Sequence, residues 1–349
     1  RDVLGSRGLG DVYKRQTKIS DEMNQRLTTP KGHNMFDISS LVQKAIRRGD
    51  LMYALYASNE MAVSYRGYLW KRLLVTSAED CFDPLTHLIV KLKEKDDNNA
   101  TKNNAEYIYQ AVYILVNARK NRDADYFACN ILNSKDFIPF VDGFSGLLTK
   151  NGHDLFVMKD EFKKAIYNND NITGYTANEI RCWYRSFFWD LILNIASNNG
   201  YIKLQKEFIA LKNIDLAQDL KKSTSIYIAK AIVLLMKSIR LNNEGLFYEY
   251  DIPNVDLSKC CSENRLKLPE YVYDCHTYIG KAKGRTKEDF IVSEQNSLHP
   301  FINGWYDNSS WDRYLSRTKT GFGNDFNTPI EYKKKINIVS VNGYQQTLF

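Results

Sequence analysis

Asp274 and His276, separated by Cys275 in the run YDCHTYIGKAKGRTKED, are the residues of this chain best suited to open a metal site. On a strand the alternation would put carboxylate and imidazole on one face, where they could begin to hold a cation that activates water. On a helix the two would not face each other. Just downstream, Lys281, Lys283, Arg285 and Lys287 cluster around Gly280 and Gly284. Flexible glycines let a backbone approach phosphates while the side chains supply charge, so this cluster is the leading nucleic-acid candidate, with a solvated loop as the plainer alternative. Glu288 and Asp289 offset part of that charge. A second basic group, Lys44, Arg47 and Arg48, occupies one helical turn opposite an apolar stripe. It is read first as a solvated basic face and secondly as a phosphate contact.

Other chemistry is harder to assemble. The histidines at 33, 87, 153, 276 and 299 are scattered, and the cysteines at 81, 129, 182, 260, 261 and 275 lack the paired C-x-x-C spacing of a zinc site. The expectation is no metal, no cofactor and reduced thiols, as in a cytoplasmic protein. Cys260-Cys261 reads as a surface turn rather than a vicinal disulfide. The opening RDVLGSRGLGDVYKRQ carries glycines at 5, 8 and 10, but neither G-x-G-x-x-G nor G-x-x-x-x-G-K-[ST] occurs in the chain. Residues 1–16 resemble translated sequencing-adapter read-through and are set aside as non-native, with the true N-terminus expected to be missing. The 349 residues carry a net charge of +7, a mild bias compatible with a polyanionic partner. No run of eighteen apolar residues suggests a membrane span, and nothing points to a small-molecule substrate.

The elements that must position these residues read as helices. Ile38, Leu41, Val42, Ala45 and Ile46 fall at i, i+3, i+4, i+7 and i+8, with Asp37 as the N-cap and Gly49 as the stop. Asp50 caps the next helix. The rows Leu69, Leu73, Thr76 and Trp70, Leu74, Ser77 define another, and PLTHLIVKLKEK, AEYIYQAVYILVNARK and DADYFACNIL complete six helices in about a hundred residues. Residues 135–175 lose the pattern apart from a short helix, DEFKKAIYN. Thr176 to Glu179 form a capping box before the apolar helix IRCWYRSFFWDLILNIA, whose aromatics are read as core, and YIKLQKEFIALKN and STSIYIAKAIVLLMKSIR follow. The fold class is all-α: a linker at 17–35, a helical bundle or collar at 36–135, a second helical unit at 136–291, and an irregular tail at 292–349 with one short strand near INIVSV.

Three segments in order, DISSLVQKAIRRGDLMYALYASNEM, YLWKRLLVTSAEDCFDP and AVYILVNARKNRDADYFACNIL, resemble the C-terminal helical region of the RarA/MgsA family of AAA+ ATPases, relatives of clamp-loader subunits. Ile38, Ser39, Lys44, Ile46, Arg47 and Asp50 fit the family's first segment. Arg72, Leu73, Ser77, Glu79, Asp80, Asp83 and Pro84 fit its second. Cys81-Phe82 departs from the usual I-G-L-A stretch, residues 140–265 do not resemble the family, and no Walker motif is present. PEYVYDCHTYIGKAKGRTKEDF is similar to a D-x-H-T-x-x-G-K-x-x-G segment of shorter relatives without an ATPase module, found in bacterial and mobile-element genomes.

The resemblance implies a homo-oligomer acting in DNA replication, recombination or repair without ATP hydrolysis, with DNA and replication or recombination proteins as partners. Arg72 is expected to pair with Glu79, Asp80 or an acid on a neighbouring helix. The alternatives are a metal-dependent phosphodiester enzyme built on Asp274 and His276, and a helical scaffold for protein partners alone.

Overall fold

A computed structural model describes residues 27–99, 104–132, 185–218, 224–241, 250, 256–302 and 310–319. Among these residues the fold is all-α, with twelve α-helices, short 3-10 and π turns, and isolated β-bridges in place of any sheet. The first five helices are α1 (Met35–Arg47), α2 (Leu51–Ser64), α3 (Arg66–Glu79), α4 (Thr86–Asn98) and α5 (Glu106–Asn117). The short α6 (Asp123–Phe127) runs into a π turn at Ala128–Leu132. A second set follows as α7 (Arg185–Asn198), α8 (Ile202–Leu216) and α9 (Ile226–Leu241).

The apolar stripe of α1 is wholly buried against α2 and α3, as its spacing requires. Its start differs from expectation. Asn34, not Asp37, is the N-cap and accepts from the backbone N–H groups of Phe36 at 2.9 Å and Asp37 at 3.3 Å, which leaves Asp37 in the first turn. Asp50 caps α2 through the Tyr53 N–H at 3.1 Å, and Gly49 between the helices has φ +69°, where a side chain would also collide with His299. Part of the segment read as a linker is built in: Thr29 and His33 are buried, and the Thr29 hydroxyl and the Lys31 ammonium both bond Glu60.

The second set repeats the first. Displacing α3 and α4 by 119 residues lays Arg66 on Arg185, Trp70 on Trp189, Leu73 on Ile192, Leu85 on Leu204, Ile89 on Phe208, Leu92 on Leu211 and Asp96 on Asp215. Displacing α5 by 120 lays Tyr107-Ile108 on Tyr227-Ile228, Ala111 on Ala231 and Leu115 on Leu235. The same polar latch recurs. The Trp70 indole N–H donates to Asp96 at 2.8 Å and the Trp189 indole N–H to Asp215 at 2.7 Å, with the Arg one turn earlier beside the same acid. Each trio packs its three helices mutually, and the copies meet where α8 lies on α4 and α9 on α3. Glu207 of α8 accepts the N–H groups of Thr86 and His87 at 3.0 and 2.9 Å, so a residue of the second copy caps a helix of the first.

Residues 257–273 pack on the first set, the turn at Leu257 on α2 and α5 and the turn at Glu270–Val272 on α1, and Leu257 and Val272 join its core. They lead to α10 (Tyr278–Ala282), α11 (Lys287–Asn296) and, in the tail read as irregular, a further helix, α12 (Ser310–Lys319), packed on α6 and α11. The DEFKKAIYN helix, the Thr176–Glu179 box and the strand near INIVSV lie outside the described residues.

Candidate functional site

The basic turn of α1 is not a solvated face. Lys44 is 6% and Arg47 1% exposed, because the returning 270–296 segment covers them. The Val272 carbonyl accepts from the Ser40 hydroxyl at 2.9 Å and the Lys44 ammonium at 2.8 Å, and Lys44 also pairs with Asp274. Arg48 is half-buried, its guanidinium 4.2 Å from the centre of the Tyr271 ring. Packing of a segment more than 200 residues away overrides the local amphipathic pattern.

Arg47 sits at the centre of a buried ion cluster. It holds Asp80 in a two-pronged pair, Nε to Oδ1 at 3.0 Å and Nη2 to Oδ2 at 3.1 Å, and reaches Glu294 of α11 with its other nitrogen. Arg122, just before α6, bridges Glu79, Asp80, Asp125 and Glu294. Two guanidiniums thus serve four carboxylates. Asp80, with both arginines and the Gln43 amide on it, is held down at about 2 despite its burial, whereas burial pushes Glu79 up and Glu294 up to about 8. The Arg122 Nε–H is buried without an acceptor among the described residues. The expected partnership of Arg72 with Glu79 or Asp80 is not formed. Those acids are taken by Arg47 and Arg122, and Arg72 donates to Ser39 Oγ at 3.2 Å, Gln43 Oε1 at 3.0 Å and the Tyr68 hydroxyl at 3.4 Å.

Above this cluster lies an open cleft of about 980 Å³ between the polar side of α1 and α3 and the α10–α12 segment. Its floor carries Glu79, Arg122, Asp125 and Glu294, and Arg72 and Tyr68 stand on one wall with Lys281 and Lys287 on the other. Gly280 makes that second wall possible: a Cβ there would overlap the Asp274 backbone, so α10 can seat on the loop only with glycine. Thr277 caps α10 and a Thr286–Asp289 capping box starts α11.

The structure divides the basic cluster. Lys281 and Lys287 line the cleft, and the Lys281 ammonium has no hydrogen-bond or ion-pair partner among the described residues. Lys283 and Arg285 turn to the exposed Glu270 at 2.8 and 3.4 Å. Asp274 and His276 lie in a loop rather than on a strand. The Asp274 carboxylate is engaged by Lys44 and by the His276 backbone N–H at 2.8 Å; the His276 ring lies with Nδ1 3.6 Å from the same carboxylate and its centre 4.6 Å from that of Phe290, edge-on. No group of three His, Cys, Asp or Glu able to hold a metal occurs among the described residues. Of the positions carried by the resemblance, Ile38, Ile46, Leu73 and Ser77 are core, Asp50 is a cap, Arg72 and Glu79 line the cleft, and Asp80 is buried beneath it on Arg47 and Arg122. Arg122, Asp125 and Glu294 were not singled out in the sequence. Only the i, i+3 spacing of Arg122 and Asp125 marks them there.

Comparison of the chain with family models, curated proteins and solved structures returns no match. Among the described residues no helix is long and apolar enough to cross a membrane.

Proposed function

We propose that this chain is a non-catalytic accessory module of DNA metabolism, in which the helical region self-associates and the cleft between α1, α3 and the α10–α12 segment contacts DNA. One observation carries this reading: two segments that resemble related proteins independently, one around Lys44, Arg47, Arg72 and Glu79, the other around Asp274 to Lys281, converge on a single cleft. Among the described residues, Arg72 makes hydrogen bonds only to neutral groups and the Lys281 ammonium makes no hydrogen bond or ion pair, and Lys287 also lines the cleft. A phosphate backbone is bound through such charges with release of counterions.

The test is the salt dependence of DNA binding. Lys281→Gln with Lys287→Gln is expected to weaken binding to any sequence and to flatten the log–log salt slope by about 0.7 to 0.9 per lost contact. Lys283→Gln with Arg285→Gln, which removes charges already turned to Glu270, is expected to do distinctly less. Equal effects of the two pairs, or no binding at low salt, would overturn the cleft as the contact. Self-association rests on the resemblance, and a monomer in light scattering at tens of micromolar, chosen as roughly the range that reveals weak interfaces, would remove it.

A further inference from the structure

A DNA surface needs charge, but this cleft also has walls and a floor. We propose that it takes one unstacked nucleotide unit, with the phosphate against Arg72 and Lys281 and the base against Tyr68 and the floor carboxylates, a reading that rests on the DNA-binding role above and sharpens it. At about 980 Å³ the cleft lies at the upper end of the range of small-ligand sites, and a base turned out of its stack would present its whole edge and face to the cleft.

Four features of the cleft match the parts of a nucleotide. The Arg72 guanidinium is fixed by Ser39, Gln43 and Tyr68, all neutral, so its charge is not spent on a carboxylate and its planar fork suits a phosphate. Tyr68 is 36% exposed beside it, with Phe36 edge-on at 6.5 Å and 89°, which leaves an aromatic surface on which a base can stack. Glu79 and Asp125 keep 19% and 18% of their side chains open while paired to Arg122, and carboxylates accept from the exocyclic amino groups that guanine, cytosine and adenine carry and thymine lacks. Asn198 stands in the second copy where Glu79 stands in the first, so the three-helix unit does not require an acid there. Finally, the Arg122 Nε–H is a buried donor without an acceptor among the described residues.

The nucleotide could be free or part of a strand, and the experiment separates the two. Titration calorimetry of the full chain with dGMP, dCMP, dAMP, dTMP and inorganic phosphate is expected to show the three amino-bearing nucleotides bound about tenfold tighter than dTMP or phosphate. Tyr68→Ala and Arg72→Lys, each checked for an unchanged helical circular-dichroism spectrum, are each expected to weaken nucleotide binding about tenfold. Glu79→Gln is expected to narrow the gap between dCMP and dTMP. Displacement of dCMP by a short oligo-dC, but not by the same length of abasic strand, assigns the site to a strand; dCMP binding that oligo-dC does not displace assigns it to free nucleotide and overturns the DNA reading while this inference stands. Phosphate binding as tightly as nucleotide, folded Tyr68→Ala binding like the parent, or no nucleotide bound at millimolar concentration overturns the inference. DNA binding that survives those results leaves the broader reading in place.

Discussion

The two copies of the three-helix unit, α3–α5 and α7–α9, fold alike but differ in charge. What persists between them is the interior: the Arg–Trp–Asp latch and the buried apolar positions, at matching spacing with changed side chains such as Leu69 and Phe188 or Ile89 and Phe208. What differs is polar. Glu79-Asp80 of the first copy becomes Asn198-Asn199, while Gln110 and Asn117 of α5 become Lys230 and Lys237 of α9. The first copy therefore carries a buried Asp80 and a half-buried Glu79 at its end, facing the arginines of α1 and of the turn before α6. The second carries buried lysines aimed at the first: Lys230 donates to the Cys81 and Phe82 carbonyls, and Lys237 lies 3.8 Å from the centre of the Phe82 ring and 3.9 Å from Asp123. The shared positions make the fold, and the divergent ones make the site and the joint.

Making the copies alike at Asp80 is expected to have the largest effect. Asp80→Asn gives the first copy the residue of the second, but it leaves Arg47 and Arg122 buried with one fewer charge, and breaking a buried pair costs about 3–5 kcal/mol. Denaturant unfolding at pH 7 measures this. Because the Asp80 carboxyl is held at about 2, its contribution is full above its ordinary range near 3.8 and is lost as pH falls through 2, so the parent and variant curves should converge in acid. A variant as stable as the parent at neutral pH would mean that the divergence at this position is idle.

The latch tests the opposite half of the comparison. Asp96→Ala and Asp215→Ala each strand a buried indole N–H and an arginine, so each should cost about 1.5–3 kcal/mol, and the two losses should agree within about 1 kcal/mol. Trp70→Phe and Trp189→Phe keep most of the ring packing and isolate the hydrogen bond, which is expected to contribute less. A large loss at one latch and none at the other would show that the two units are not equivalent folds.

How much of this was legible in the sequence follows the range of each interaction. The helices of the first unit were readable because apolar spacing is local, and so was the Asp50 cap. Asp37 looked like the cap of α1 because it precedes Ile38, but the chain begins to turn three residues earlier, where Asn34 has the extended backbone of a cap. Lys44 and Arg47 looked solvated because their cover, Val272 to Glu294, lies more than 200 residues away. The duplication leaves only scattered identities, the Arg, Trp and Asp of the latch and apolar positions such as Leu85 and Leu204 or Leu115 and Leu235, because other buried apolar positions tolerate exchange of one large side chain for another. The division of the basic cluster had no local signal, because Glu270 captures Lys283 and Arg285 by folding back across thirteen to fifteen residues.

The smallest effect at alkaline pH is expected at Lys237, where the first copy has the neutral Asn117. Burial lowers the Lys237 ammonium to about 7, with Asp123 and Asp83 opposing the shift and Lys230 and Arg119 reinforcing it. Below pH 7 the folded protein holds this charge inside, and the full penalty is present. Between about 7 and 10.5 the unfolded chain keeps a proton that the folded chain has released, so stability rises with pH, and above that range the penalty is gone. Glu294 contributes the reverse slope, because a carboxyl raised to about 8 makes stability fall as pH rises from its ordinary value near 4.5 up to 8. Between 8.5 and 10 Glu294 has finished titrating, and the slopes that the buried Lys44, Lys120 and Lys230, also lowered by burial, add there are common to parent and variant, so the difference between the two proteins isolates Lys237. Lys237→Met, which keeps the volume of the stem and can pack on Phe82, should be more stable than the parent at pH 6, nearly equal to it at pH 10, and flatter between 8.5 and 10. The same slope in both proteins would assign the titration to another group and leave Lys237 as a charge fully neutralised by Asp123.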